Sequence, residues 1–381
     1  MAKLLWFSAL LATLDFASAT PPVPKWPTPS ETPSSSKPPP ASADRPLSFK
    51  PFIERPISYA ALGDGFASGI GSGFPTDNNF DCARRDGSYP AKLLETNLFS
   101  RGLLMYNNQA CYGQGIEDLD RQIGNLAGAK YDLVTLSVGY HDFILERLPT
   151  ACVYQIIDPE IPDPSEFCAE AISESLEQYG NSTKHHLFAK KIAHIKEKVL
   201  SPNGQLFVTN LPLFFGTPQY GDVCDSRSLS PFDPPVLKMK FLTRLAINFI
   251  IRGIDDVIRF TVQQAGPNVH LVDLERMFRR KRFCEMGALD PIGADSPHVF
   301  MNDMRTIQDF PGPDLISDHN SDLKQPEKKQ KVSFQSNLGL LQKSTLKHRS
   351  VFHPKPEAHK AIAQEIYQQM DFLIMDPQFP M

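Results

Sequence analysis

The stretch Tyr59-Ala-Ala-Leu-Gly-Asp-Gly-Phe-Ala-Ser-Gly-Ile-Gly71 decides the fold of this 381-residue chain. Its apolar first part predicts a buried strand, and the glycines that follow favour a tight turn with close backbone approach. The residues after the turn predict the beginning of a helix. A strand that runs through such a turn into a helix is typical of α/β proteins, whose ligands bind at the carboxyl ends of the strands.

Outward from this stretch, short apolar runs alternate with helical patterns. The candidate strands are 57–62, 103–107, 133–138, 206–209 and 269–272. The candidate helices are 89–96, 116–126, 184–199, 237–264 and 356–373. Continuous apolar strands indicate parallel strands that are buried on both faces, so the pattern predicts a three-layer α/β/α sandwich with a mainly parallel sheet.

The loops at the carboxyl ends of these strands gather on one rim of the predicted sheet. They are residues 63–73, 108–115 and 139–143. Segments 149–180 and 300–349 are too polar and irregular to be core elements, and we expect them to be insertions around the rim.

The amino terminus has the pattern of a secretory signal over residues 1–19, with Lys3 before an apolar run and Ala17-Ser18-Ala19 as the cleavage site. The apolar run is shorter than a membrane span requires, which argues against the alternative of an anchor. Residues 20–51 hold eleven prolines with much Ser, Thr and Ala, so we expect a linker that carries O-glycans or is a plain spacer. Residues 52–381 form the remaining α/β domain.

The formal net charge of −4 gives no indication that the chain binds nucleic acid. The basic run 324–331 is typical of a solvated loop rather than a binding patch. No second long apolar segment follows the signal, so we expect a soluble, secreted and monomeric mature protein without a membrane span.

Six cysteines in a secreted chain predict three disulfides, for which the sequence alone allows fifteen pairings. Nearest-neighbour pairing would join Cys82 to Cys111, Cys152 to Cys168 and Cys224 to Cys284. No Cys-x-x-Cys spacing occurs, which disfavours zinc and thioredoxin-type sites. Asn181-Ser182-Thr183 is the single N-glycosylation sequon and predicts a surface position.

The first block resembles that of the SGNH (GDSL-type) hydrolase and esterase family, whose first strand ends in Gly-Asp-Ser. Four further stretches resemble later blocks of this family in the right order, the first of them as it occurs in secreted fungal-type members. They are Cys82-Ala-Arg-Arg-Asp-Gly-Ser-Tyr-Pro90 with Asn108-Gln-Ala-Cys-Tyr-Gly113, Val134-Thr-Leu-Ser-Val-Gly-Tyr-His-Asp142, Lys281-Arg-Phe-Cys-Glu285, and Phe352-His-Pro-Lys-Pro-Glu-Ala-His359. The resemblance implies the flavodoxin-like SGNH hydrolase fold over about residues 57–370, and it also implies the Cys82–Cys111 disulfide.

The resemblance further implies acyl transfer, in which a hydroxyl attacks an ester, a base takes its proton and donors stabilise the oxyanion. The implied base is His353. The implied oxyanion donors are the backbone amides of Gly65 and Gly113 and the side chain of residue 141. Small-molecule esters, lipids or acylated glycans would be the ligands, and no cofactor is implied.

This chain departs from the family pattern at three of these positions. Gly65 stands where the nucleophilic Ser is expected, His141 replaces an oxyanion-hole Asn, and Ser350 stands in the place of the Asp that orients the base. A main-chain carbonyl can orient His353 instead, so the loss of the nucleophile is the severe change. The pattern therefore predicts a decayed ester-hydrolysing site that keeps a ligand pocket, and Gly65→Ser is expected to raise activity.

Two other interpretations stay open at this point. An active esterase could use a surrogate hydroxyl, Ser68 or Ser72, or a water activated by His353, although turn and capping roles fit the two serines better. The third interpretation is that the chain is a secreted interaction protein without enzymatic activity. Among the other polar residues, Asp64 is expected to hold the turn, and His359 to pack or cap.

A zinc site is a further, less favoured alternative. Its ligands would be His141, His353 and either Asp142 or Asp64, a spacing that matches no familiar metal pattern.

Overall fold

The computed structural model describes residues 53–77, 80–154, 164–228, 238–285, 299–302 and 351–375. The predicted signal, the whole of the predicted linker, the basic run 324–331 and Ser350 lie outside the described residues. Most of the predicted insertion 300–349 lies outside them as well.

The core is a five-stranded sheet in which every neighbouring pair is parallel. Its strands are β1 (Ser58–Gly63), β2 (Met105–Asn108), β3 (Tyr131–Ser137), β4 (Leu200–Thr209) and β5 (Val269–Val272), in the spatial order β2-β1-β3-β4-β5. All six residues of β1 are buried, as a central parallel strand requires. Gly63 pairs with Ser137, so the loops that follow β1 and β3 begin side by side on the same rim of the sheet.

Eight α-helices complete the described part of the chain. They are α1 (Gly65–Ser68), α2 (Tyr89–Leu94), α3 (Leu119–Asn125), α4 (Pro164–Tyr179), α5 (Ser182–Lys198), α6 (Phe241–Gln264), α7 (Leu274–Phe278) and α8 (Pro356–Met375). Helix α8 packs on α2 and α7, while α5 packs on α3 and α6. With the sheet between these two groups, the molecule is the predicted α/β/α sandwich.

Helix α6 shows how the sequence produces one of these layers. Its buried residues Ile247, Ile250, Ile251, Ile254 and Ile258 recur at helical spacing and form one apolar face. Burying each such side chain stabilises the fold by about 1.5–3 kcal/mol.

The prediction that residues 149–180 form an irregular insertion is wrong. The segment contains a π-helical stretch (Pro149–Tyr154) and the sixteen-residue helix α4. Helix α4 buries only a narrow stripe that includes Ala171 and Ile172, and this stripe is too small to stand out from the polar residues around it. It packs against α6, where a Cβ on Gly253 would meet the ring of Tyr179.

The structure contains three disulfides, which join the cysteines as nearest-neighbour pairing does: Cys82–Cys111, Cys152–Cys168 and Cys224–Cys284. Asn181, the residue of the sequon, is exposed and is the N-cap of α5. Its side-chain oxygen accepts a hydrogen bond from the backbone N–H of Thr183 at 3.0 Å.

Candidate active site

Asp64 ties together the loops that follow β1 and β3. Its carboxylate accepts hydrogen bonds from the backbone N–H of Phe66 at 3.0 Å and of Tyr140 at 3.2 Å. Its own N–H donates to the carbonyl of Ser137 at 2.8 Å. Burial raises the pKa of Asp64 to about 8, against the lowering effect of the two hydrogen bonds. Asp64 thus holds the turn, the role expected from sequence.

Gly65 is the first residue of α1, so helix geometry gives its backbone N–H no acceptor within the helix. A Cβ built on Gly65 would lie 2.5 Å from Nε2 of His353 and 3.1 Å from Cδ2 of Tyr112. The first distance is far below a van der Waals contact. The imidazole of His353 therefore occupies the space that a side chain at position 65 would need.

His353 is fully buried in an aromatic cage. Its ring centroid lies 4.5 Å from that of Tyr140, 5.2 Å from that of Phe66 and 6.1 Å from that of Tyr112. Nδ1 lies 3.2 Å from the backbone carbonyl of Val351. Since a carbonyl can only accept, this contact assigns the proton to Nδ1 and the lone pair to Nε2, the tautomer that a general base requires.

The disulfide Cys82–Cys111 positions the loop that carries Gly113. The N–H of Cys111 donates to the carbonyl of Gly63 at 2.9 Å, and the N–H of Tyr112 donates to the carbonyl of Cys82 at 3.0 Å. Gly113 follows with φ of +76°, a left-handed conformation that favours glycine. Within the described residues, no hydrogen bond takes up the N–H of Gly113.

His141 is paired with Glu146, a residue that the sequence patterns do not single out. Nδ1 of His141 lies 3.0 Å from Oε1 of Glu146, and the imidazole is 47% exposed. The hydrogen bond to Glu146 raises the pKa of His141, and the charges of Asp142 and Asp64 act in the same direction, while burial opposes them. While Nδ1 donates to Glu146, Nε2 can donate only when the ring is protonated.

One pocket collects all four residues that the sequence assigns to catalysis, namely Gly65, Gly113, His141 and His353. It holds about 200 Å³ of empty space, part of it open to solvent. The remaining lining residues are Asp64, Tyr112, Tyr140 and Glu146. Tyr112 and Tyr140 are the neighbours of Gly113 and His141 in the sequence, and this adjacency is the signal that could have identified them.

The hydroxyls considered as surrogate nucleophiles are engaged elsewhere. Oγ of Ser68 donates to the carbonyl of Gly65 at 3.2 Å, and Oγ of Ser72 donates to the carbonyl of Pro354 at 2.8 Å. Both serines are fully buried and neither lines the pocket. These are the turn roles that fit them better in the sequence.

His359, also set apart in the sequence, is fully buried, and its Nδ1 accepts a hydrogen bond from the N–H of Tyr89 at 3.2 Å. In the described ranges, no group of three or more His, Cys, Asp or Glu residues is arranged to hold a metal ion. The zinc alternative therefore finds no site among them. None of the helices in these ranges is both long and apolar enough to cross a bilayer.

No protein-family model matches the chain. A lipase of Streptomyces rimosus is 30% identical over 97 residues, which are 26% of this chain and 35% of the relative. Lipase 1 of Streptomyces coelicolor is 28% identical over 158 residues, which are 41% of this chain and 53% of the relative. The chain thus matches between about a third and about half of the length of these relatives.

The crystal structure of the extracellular lipase of Streptomyces rimosus has a similar fold. The superposition has a TM-score of 0.52 at 17% identity and covers 82% of this chain and 98% of that chain. The parallel sheet, the rim pocket and these similarities confirm the resemblance found in the sequence: the chain has the fold of the SGNH-type lipases and esterases.

Proposed function

We propose that this chain is a secreted protein of the lipase and esterase fold that binds an acyl-bearing ligand without efficient ester hydrolysis. One observation carries the proposal. Nε2 of His353 lies 2.5 Å from where a Cβ of residue 65 would be, so the base fills the space of the missing nucleophile.

The chemistry of acyl transfer explains why this observation weighs so much. An acyl-enzyme needs an attacking atom next to the base, and Gly65 has none. Removal of such a nucleophile lowers turnover by about 10⁶-fold in a serine hydrolase. A water molecule activated by His353 would not form an acyl-enzyme, so the covalent route is lost in that case as well.

The parts of the site that bind an acyl group remain on the rim of the pocket. The backbone amide of Gly113 is held by the Cys82–Cys111 disulfide, and His141 replaces the Asn donor. These groups support binding of a carbonyl or carboxyl oxygen. Because the pocket is small and partly open to solvent, and two tyrosine rings line it, we expect any acyl chain that it accepts to be short.

Three features support secretion. The first is the signal pattern over residues 1–19. The second is the set of three disulfides, which form in oxidising compartments. The third is the exposed Asn181 in its sequon, a suitable acceptor for one N-glycan.

A hydrolysis assay with p-nitrophenyl acetate and p-nitrophenyl butyrate tests the loss of activity. We expect the wild-type rate to stay within a few-fold of buffer and to be unchanged in His353→Ala. Ordinary enzymatic rates that His353→Ala abolishes would show that the site is active.

The expectation that Gly65→Ser raises activity needs revision in view of this geometry. The ring of His353 must first move away from the new Cβ, so we expect at most a small gain from Gly65→Ser alone. His141→Asn should add to that gain, since both positions would serve one transition state.

A further inference from the structure

The pair of His141 and Glu146 changes the kind of group that the pocket can bind. An Asn amide at position 141 would donate a hydrogen bond without carrying a charge. The imidazole is held at Nδ1 by Oε1 of Glu146, at 3.0 Å, so its remaining nitrogen donates only in the charged form. A charged donor favours an anionic acceptor over a neutral carbonyl.

We propose that the pocket binds a free carboxylate rather than an ester, with the imidazolium of His141 as its counter-ion and the amide of Gly113 as a second donor. This inference rests on the proposed non-hydrolytic function and names its ligand class. The ligand is thus the acid that remains after an ester is cleaved, with a short apolar chain. The tyrosine rings of Tyr112 and Tyr140 supply an apolar wall for that chain.

The charges around His141 permit this assignment. Glu146 lies on the same loop and is neutralised by the imidazolium. Asp142 is buried and accepts the N–H of Ile116 at 2.7 Å, and Asp64 accepts the two N–H groups described above. Burial raises the pKa of Asp64 to about 8, so an incoming carboxylate meets a largely neutral carboxyl there at pH 6. Burial also raises the pKa of Asp142. His353 and Tyr112 reach the pocket from the other sides.

The ionisation of His141 makes the binding dependent on pH. Glu146 raises the pKa of the imidazole, so the charged form extends to a higher pH than for an isolated histidine. Below that pKa the carboxylate gains its counter-ion. Above it, affinity should fall about tenfold per pH unit, because one proton is bound together with the ligand.

Titrations with butyrate, butyramide and butylamine between pH 5.5 and 8.5 test the inference, with affinity measured by calorimetry and by the shifts of the His141 imidazole signals. We expect butyrate to bind at least tenfold more tightly than butyramide at pH 6, and to lose this advantage as pH rises. His141→Asn should abolish the difference between acid and amide. Glu146→Gln should move the loss of butyrate binding to lower pH.

His194→Asn is the matched control. His194 is also a partly exposed histidine whose Nδ1 lies 3.0 Å from a carboxylate, that of Asp120, but it lies outside the pocket. This variant should bind all three probes as the wild type does.

The other possible results contradict either the carboxylate assignment or the acyl-binding function on which it rests. Equal binding of butyrate and butyramide at every pH, or an unchanged preference in His141→Asn, would overturn the carboxylate assignment and leave acyl binding intact. Tightest binding of butylamine would show that the carboxyl groups of the pocket dominate, which also overturns the assignment. If none of the probes binds to the wild type, the proposed acyl-binding function is wrong, and the carboxylate assignment is wrong with it.

Discussion

At the scale of single residues, Gly65 is the position where one added carbon should have the clearest effect. A Gly to Ala change inside a helix usually stabilises by up to about 1 kcal/mol. At Gly65 the new methyl group would lie 2.5 Å from Nε2 of His353, and overpacking of this kind costs about 1–3 kcal/mol. We therefore expect Gly65→Ala to lower the free energy of unfolding, as measured by denaturant titration.

Gly124 in α3 provides the matched control, because a Cβ there would meet nothing within 4 Å. Gly124→Ala should raise the free energy of unfolding by up to about 1 kcal/mol. In the double variant Gly65→Ala/His353→Ala, the methyl group finds room, so the two changes should be less than additive. An additive double variant would show that the ring of His353 does not occupy this space.

The sequence predicts the residues of the site but not their packing. The blocks around Gly65, Gly113, His141 and His353 identify four positions that the structure brings into one pocket. The position of the His353 ring depends on contacts with Phe66, Tyr112 and Tyr140, which come from three separate segments. Contacts between separate segments leave no pattern in the local sequence, so they cannot be predicted from it. The pairing of His141 with Glu146 could not be predicted for the same reason.

At the scale of elements, the disulfide Cys82–Cys111 joins the stretch that begins at Cys82 to the loop that carries Gly113. Cys82→Ala/Cys111→Ala opens a loop of 29 residues, and chain entropy predicts a loss of about 3–4 kcal/mol. We also expect butyrate binding to weaken, because the backbone donor of Gly113 is no longer held. Unfolding titrations and calorimetry would measure both effects.

The matched control is Cys152→Ala/Cys168→Ala, which removes a bridge between the π-helical stretch and α4. It should cost about 3 kcal/mol and leave butyrate affinity unchanged, since neither cysteine lines the pocket. Equal losses of affinity in the two variants would mean that global destabilisation, rather than the Gly113 loop, controls binding.

The strands were the most predictable elements, because most of them contain a continuous apolar run, and all five occur in the sheet. Helix α4 was missed since its buried stripe is narrow. Its packing depends on Gly253 of α6, which leaves room for Tyr179 only once the two helices meet. Tertiary contact, not local pattern, stabilises this element.

At the scale of the whole molecule, two buried histidines should make the fold sensitive to acid. Burial lowers the pKa of His359 to about 3 and that of His270 to about 4, from an ordinary value of 6.5. Below pH 6.5 both histidines bind a proton in the unfolded chain, whereas in the folded state they stay neutral until the pH approaches their lowered pKa. Each histidine therefore lowers stability by about 1.4 kcal/mol per pH unit as the pH falls from 6.5 towards its folded pKa.

His359→Asn isolates one of these contributions, because the Asn oxygen can still accept the N–H of Tyr89. We expect the slope of unfolding free energy against pH, measured between pH 4.5 and 6.5, to decrease by about one proton. Asp64 acts with the opposite sign, since its pKa is raised to about 8 and its contribution declines from about pH 4 to pH 8. Comparing variant with wild type cancels that term, and an unchanged slope would show that His359 is charged in the folded state.

The capping role of Asn181 has a consequence for the way in which glycan-free protein is prepared. A glycan attaches to the side-chain nitrogen and leaves the oxygen free to accept the N–H of Thr183. Asn181→Gln removes the sugar and the cap together, and loss of a cap costs about 1 kcal/mol. Thr183→Ala destroys the sequon but keeps the backbone donor, so it separates the contribution of carbohydrate from that of helix initiation.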